Sequence, residues 1–479
     1  MSGVPKPFPH SALPPAVRDQ FGRCMRLTEL EADVYRILFA AGAFALAGTA
    51  IAQSEEGFPE AGAVIELDQI LVTDGLTGVE QRKSGRSFTV ISGEQLQRNQ
   101  VRYVADALRQ VPGFAVSRTG GHGGFTQLRV RGAEGNHVLV LVDGVEMSET
   151  SSGEFDFGSL VVDDIERIEV LRGPQSAFWG SNALAGVVNI ITRRGERGDW
   201  RVHTRSEVGT DGTALGGLGI SGGGDDYDLA LSGLFRRNDG FNISSFGTGK
   251  DGDRNATLNG RLTIDVSPDL QLDANLRYVD RRSDTDPQDF TFGSPTFGRV
   301  IDGNAQTATR ELFGAFGATL SSLDGALTQR IRFSGSDTER RNFRDGLKTT
   351  WTEGDRQNLA YRATYRFDTP AFMQATHRIS GGYEWQRENF RPSHLQNSFS
   401  RKSQSLITEY RGEFYDQLFL TLGARHDFND RFRDATTWSA AASWQIPNTG
   451  ARLHASAGTG ITNPTFFEQF GFAPDRFVG

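Results

Sequence analysis

Residues 165–192, IERIEVLRGPQSAFWGSNALAGVVNIIT, decide how the rest of the chain is read. The stretch opens as a strand, with Ile165, Ile168, Val170 and Leu171 set among charges, and breaks at Arg172-Gly173-Pro174. Proline lacks a backbone donor and fixes φ, so Gly173-Pro174 must turn or leave the sheet. A short polar and aromatic passage follows, and then the apolar run Val187-Val188-Asn189-Ile190-Ile191. Gly180 and Gly186 permit φ > 0 or a close approach of backbones around that second run.

Working outward toward the amino end, residues 87–192 read as one compact α/β unit. Ser87-Phe88-Thr89-Val90-Ile91 is a strand, and Ser92 with Gln95 three residues on has the form of a capping box. Val101, Val104, Leu108 and Val111 repeat at helical spacing, and Pro112-Gly113 stops the helix. The run HVLVLVDGV from His137 to Val145 begins as a strand buried on both faces and turns at Asp143-Gly144.

Toward the carboxyl end the period changes to two. Trp200, Val202, Thr204, Ser206 and Val208 alternate with charged residues, as do Leu270, Leu272, Ala274, Leu276 and Tyr278 with polar ones. Tyr361, Ala363, Tyr365 and Phe367, and then Ile379, Gly381, Tyr383 and Trp385, continue the pattern. A strand so written is apolar on one face and polar on the other. These segments run about ten residues with aromatics near their ends, as transmembrane strands do. Short turns at Asp225-Asp226, Ser267-Pro268-Asp269 and Asp416-Gln417 alternate with long polar stretches at 238–254, 281–307 and 390–403. A soluble all-β protein is the alternative, and its strands would be shorter.

As a set, the LRVRG, VLVDG and IEV-RGP runs in this order resemble the plug domain of TonB-dependent outer-membrane receptors. The resemblance implies a membrane β-barrel, antiparallel and incomplete in this chain, with an N-terminal α/β plug inside the lumen. Residues 198–479 hold roughly 12 to 14 strands at 20-odd residues per strand and loop, where plugged transporters have about 22. A C-terminally truncated piece of a larger barrel is therefore expected. Residues 1–52 are read as a signal peptide with a long leading region, because the apolar run 37–52 ends Ala50-Ile51-Ala52 and is too short to span a bilayer. Residues 53–86 form a periplasmic leader, 87–197 the plug and 198–479 the partial barrel. In this family Asp68, Gln69, Ile70, Leu71 and Val72 would be the TonB box, an extended segment that adds a strand to the energy-coupling partner TonB.

The plug most resembles the vitamin B12 receptor branch, through RQVPGFAVSRTGG, QLRVRG and HVLVLVDGV. Its ligand-contacting loops would then hold Gly120, Gly121, His122, Gly123, Gly124 and Phe125, followed by Glu146, Phe155 and Phe157. Glycine lets a bulky ligand approach the backbone, and phenylalanine adds apolar contact. A ferric siderophore or haem could meet the same loops. A passive porin or adhesin is the rival of another class. No enzyme is expected: Gly217-x-Gly219-x-x-Gly222 and Gly247-x-Gly249-x-x-Gly252 match a dinucleotide pattern but lack the strand–helix context. Asp239, Asp251 and Asp253 could form an oxygen-rich calcium site, or be solvated loop carboxylates. No other cofactor is expected.

Composition agrees with many strands and turns: 57 of 479 residues are Gly and 34 are Phe. The one cysteine, Cys24, lies in the part expected to be removed, so no disulfide is available. A net charge of −8 argues against a general nucleic-acid binder. The expected setting is the outer membrane of a Gram-negative cell. The expected partners are the bilayer, TonB and a small-molecule nutrient, met by a monomer.

Overall fold

The computed structural model describes residues 70–121 and 123–470. The signal peptide, the first half of the leader with Asp68 and Gln69, and His122 lie outside the described residues.

A five-stranded sheet forms the middle of the plug. Its strands are β3 (Ser87–Ser92), β6 (Val138–Val142), β7 (Val145–Glu146), β8 (Ile165–Arg172) and β9 (Gly186–Thr192), in the order β3-β8-β9-β6-β7. Only β6 and β9 run parallel. Both are buried along their whole length, so their apolar runs need no alternation. Val138, Val140, Val188 and Ile190 pack on one face, while Leu139, Leu141 and Val187 pack on the other beside Trp179. The chain leaves the sheet at Gly173, which has φ 92°. It then forms the single turn Ser176–Trp179 and returns after Gly180, at φ 72°. Gly186 serves differently: a Cβ there would stand 2.5 Å from the Leu171 carbonyl oxygen, so the two strands could not pair as they do.

The first face is covered by two helices where the spacing suggests one. In α1 (Gly93–Arg98), the Ser92 hydroxyl accepts from the Gln95 backbone N–H and the Gln95 side chain accepts from the Ser92 N–H. The helix ends at Gln100, which has φ 51°. Val101 donates to the Leu96 carbonyl at 2.9 Å and Gln100 to that of Gln97 at 3.0 Å, a Schellman closure. A new helix, α2 (Val104–Leu108), then starts. Glycine usually fills the left-handed position. Glutamine does so here, which is why Val101 and Val104 look like one continuous face. Strands β4 (Phe114–Arg118) and β5 (Thr126–Val130) form a separate ribbon.

Thirteen strands, from β10 (Arg201–Val208) to β22 (Arg452–Gly458), follow in one antiparallel sheet in which each pairs with its sequence neighbours. Among the described residues β10 pairs only with β11 (Ala214–Gly223), and β22 only with β21 (Ala435–Gln445). The sheet is thus an open arc around the plug. The convex face carries the apolar set: Leu276, Phe316, Ile331, Ile379 and Leu406 are exposed on it. His377, stacked on Phe367 with ring centroids 4.8 Å apart and bonded to the Tyr410 hydroxyl, sits near the short turns, where an aromatic girdle belongs.

Strands outrun the expected ten residues. β16 (Leu327–Arg344) and β17 (Leu347–Thr369) have 18 and 23. The polar stretches expected as long loops are therefore strand at their ends. They shrink to 242–250 between β12 (Tyr227–Phe241) and β13 (Asp251–Asp265), and to 286–304 between β14 (Leu270–Thr285) and β15 (Ala305–Ser322). Only 393–398 remain between β18 (Ala375–Pro392) and β19 (Phe399–Phe414). Polar alternation on both faces is still extended backbone once it rises above the lipid. Phe466–Phe470 forms a short helical turn, where Phe466 stacks on Phe390. Residues beyond 470 are outside those described.

Candidate functional site

The segment leading into the plug is held from three sides. Ile70 and Leu71 (β1) pair antiparallel with Val79 and Glu80 (β2), which buries Leu71 and leaves Ile70 exposed. The Glu169 carboxylate, fully buried on β8, accepts the Val72 and Thr73 backbone N–H groups at 2.9 and 3.1 Å and the Thr73 hydroxyl at 2.7 Å. Arg167 pairs with the other Glu169 oxygen at 3.0 Å, and the Trp179 indole donates to the Thr73 carbonyl. Next in line, Asp74 meets the Arg86 guanidinium, both side chains being almost wholly buried. Burial pushes the Asp74 carboxyl up, but Arg86 and Arg411 outweigh it and hold the group below its ordinary range. The barrel wall closes the third side: Glu409 accepts from the Leu76 N–H at 2.9 Å, and Lys83 pairs with Glu413 at 2.9 Å.

Plug and wall otherwise meet mostly through carboxylates and arginines. Asp143 pairs with Arg261 at 2.7 Å, Asp156 with Arg281 at 2.8 Å, and Glu149 with Arg340 at 3.2 Å. Glu146, on the expected ligand loop, faces Arg356 at 3.2 Å, which Glu388 shares at 2.8 Å. A cavity of about 730 Å³ lies along this seam. Its lining begins at Val72 and Leu76, passes Arg332, Arg362 and Arg425, and ends near Phe432 and Asn463 at the long-loop side. The segment leading into the plug and the outer rim therefore border one space.

The other expected site residues are dispersed. Gly120 and Gly123 take φ 83° and 82°, but what they approach is the barrel. Gly120 lies under Ile243, Gly121 beside Phe241, and Gly123 against Asp253. Gly124 is closed over the Thr119 carbonyl, and Phe125 is half-buried. Phe155 and Phe157 pack edge-to-face at 4.8 Å inside the plug core, so both rings are committed to folding and do not line the lumen. The three aspartates have separate neighbours. Asp239 pairs with Arg237, Asp253 with Arg236, and Asp251 accepts from the Ile243 N–H. Among the described residues no group of three or more His, Cys, Asp or Glu is placed to hold a metal ion.

Sequence reasoning misses Glu169 and Trp179, although both lie in the stretch quoted first. The available signal is a carboxylate at Glu169 between Ile168 and Val170, in a strand whose neighbours are apolar. A buried carboxylate in such a place needs donors.

A plug sheet seated in a curved antiparallel wall, with a leading segment clipped beneath it, defines a plugged outer-membrane receptor. Residues 80–187 match the TonB-dependent receptor plug domain and residues 199–477 the TonB-dependent receptor-like β-barrel, so the chain belongs to the TonB-dependent receptor family, whose members are receptors and transporters of the outer membrane and not enzymes. It is 28% identical over 399 residues to the vitamin B12 transporter BtuB of Photobacterium profundum, covering 80% of this chain and 60% of that protein. Among solved structures, the siderophore receptor PirA of Acinetobacter baumannii superposes with a TM-score of 0.60 at 18% identity, over 79% of this chain and 60% of that one. The alcaligin outer-membrane receptor FauA of Bordetella pertussis gives 0.62 at 16%, over 79% and 63%. These structural likenesses are of fold. The chain spans about three-fifths of the length of the curated relative it matches.

Proposed function

We propose that the protein takes up a scarce, bulky nutrient through the outer membrane, and that TonB drives the step by pulling on residues 68–72. The observation that carries this reading is the Glu169 clip, which ties the segment to β8 of the plug sheet and beside the seam cavity. A nanomolar site holds its ligand by about 12 kcal/mol, so inward release requires work. Three hydrogen bonds to one charged carboxylate amount to on the order of 5 kcal/mol. Such a clip is strong enough to stay shut at rest and weak enough for a mechanical pull to open. Cobalamin is the favoured ligand, supported by the plug motifs and by the B12-transporting relative. A ferric siderophore is the second reading, favoured by Arg332, Arg362 and Arg425 along the cavity, since guanidinium groups suit an anionic chelate.

Two measurements test this. Cobalamin and iron chelates are titrated against the full-length protein, and saturable binding of a chelate alone would replace cobalamin as ligand. Leu71→Pro, which removes a ladder donor, should abolish uptake while surface binding persists. Equal loss of both would remove the coupling assignment.

A further inference from the structure

Asn189 is the polar residue in the apolar run Val187 to Ile191 of β9. It is 2% exposed, its side-chain oxygen has no hydrogen-bond partner, and its amide is bonded to no neighbour among the described residues. A buried polar group left unmatched destabilises a fold, so its presence calls for a reason. The strand register supplies one. Asn189 stands directly across from Glu169 on β8 and from Leu141 on β6. Side chains opposed in this way share a face, with Cβ atoms about 5 Å apart. That face also carries Leu139, Val187 and Trp179, and Asn189 and Trp179 both border the seam cavity.

At rest the neighbours of Asn189 are already served. One Glu169 oxygen takes the Val72 and Thr73 N–H groups and the Thr73 hydroxyl, and the other takes Arg167. The Trp179 indole is committed to the Thr73 carbonyl at 3.0 Å. Withdrawal of residues 70–73 would leave two unmatched groups of opposite kind. The Glu169 oxygen would need donors, and the Trp179 N–H would need an acceptor. A primary amide offers both, with two N–H donors and a carbonyl oxygen on one short side chain. Leucine would suit the apolar surroundings as well, but it could serve neither group.

We propose that Asn189 is a positioning residue of the coupling step, taking the place of the departing segment by donating from Nδ2 to Glu169 and accepting at Oδ1 from Trp179. The inference rests on the reading that residues 68–72 are pulled from the plug. Asn189 touches neither nutrient nor TonB and acts through Glu169 and Trp179. Exchanging one set of partners for another keeps the buried carboxylate matched at both ends of the movement. The pull then works against the difference between two bonded states, and not against a bare charge in an apolar face.

The test uses the full-length protein in dodecyl maltoside, carrying Cys24→Ser and Leu71→Cys, so that one thiol sits where the closed ribbon buries it. A maleimide reaches that thiol only when the segment lifts away. Where reclosing outpaces labelling, the rate follows the open population. Neither nutrient nor TonB is needed. Asn189→Leu should label about tenfold more slowly than the reporter parent, as expected for losing a hydrogen bond to a charged group. Asn189→Thr, whose hydroxyl still donates, should stay within about threefold of the parent. In a Glu169→Gln background, where release strands no charge, Asn189→Leu should change the rate by less than about twofold. A merely structural asparagine would shift both backgrounds alike. Labelling of Asn189→Leu at the parent rate, equal slowing in both backgrounds, or a parent that labels only on global unfolding would each overturn the proposal. The reading beneath it fails separately: uptake that survives Leu71→Pro would remove TonB coupling while the labelling pattern stands.

Discussion

The plug core and the seam between plug and wall are built on opposite principles. In the core, Val138, Val140, Ile168, Val170, Val188 and Ile190 are essentially without solvent and interlock on one face of the plug sheet. At the seam, Asp143, Glu146, Glu149 and Asp156 each meet an arginine of the wall. Apolar packing is non-directional and proportional to area, so it is lost only when the unit unfolds. Ion pairs are discrete and can be exchanged one at a time for water or ligand. A plug stabilised in this way can keep its own fold while changing its grip on the barrel.

The largest effect should come from breaking the core. Val188→Asp places an unpaired carboxylate in a site with no solvent access, costing several kcal/mol. Limited proteolysis should then digest the plug while the barrel keeps its heat-modifiable mobility on gels. A plug that stays protease-resistant would mean that the two regions share their stability.

At the seam, Arg356→Ala should cost about 3–5 kcal/mol, because it strands Glu146 in the lumen, while Glu388 keeps Arg401. Replacing the pair together (Arg356→Met, Glu146→Gln), with Glu388 left on Arg401, should cost less than about 1 kcal/mol. Denaturant melts of both variants distinguish a charge-balanced seam from one whose pairs contribute large net stability.

Glu169→Gln should weaken the clip by roughly 1.5–3 kcal/mol, since a neutral amide replaces the charged acceptor. A spin label at Ile70 should become mobile without added ligand, and unchanged mobility would show that β1 and β2 alone hold the segment. Asp74 gives the matching pH test. Its folded-state pKa is lowered, so its contribution is present above the unfolded value near 4 and is lost as pH falls through the folded one. The same label should loosen only below about pH 4. In Asp74→Asn that acid limb should flatten.

The smallest effect should be Asp239→Asn. This exposed pair with Arg237 contributes within about 0.5 kcal/mol, so the melting temperature should hardly move.

The fold is legible where one rule governs a whole stretch. The two-residue period of Leu270 to Tyr278 and of Ile379 to Trp385 places the outward face correctly, and the unbroken run at Val138 marks the buried strand. It is illegible where the chain uses an unusual residue, as with Gln100 in the left-handed position that splits the helix. The site is harder to read because its pairs are distant in sequence. Nothing near Glu169 names Val72, 97 residues away, as its donor. Phe155 and Phe157 illustrate the converse error: an aromatic in a loop is read as a contact for ligand, yet here it fills the core beneath that loop.

The ribbon of Ile70–Leu71 against Val79–Glu80 has its open end at Ile70 and Glu80. A tug on the chain ahead of Ile70 therefore loads its rungs in succession, never all at once, and reaches Glu169 only after Leu71 has peeled away. Force needed at any instant is that of a single rung, so a modest motor suffices.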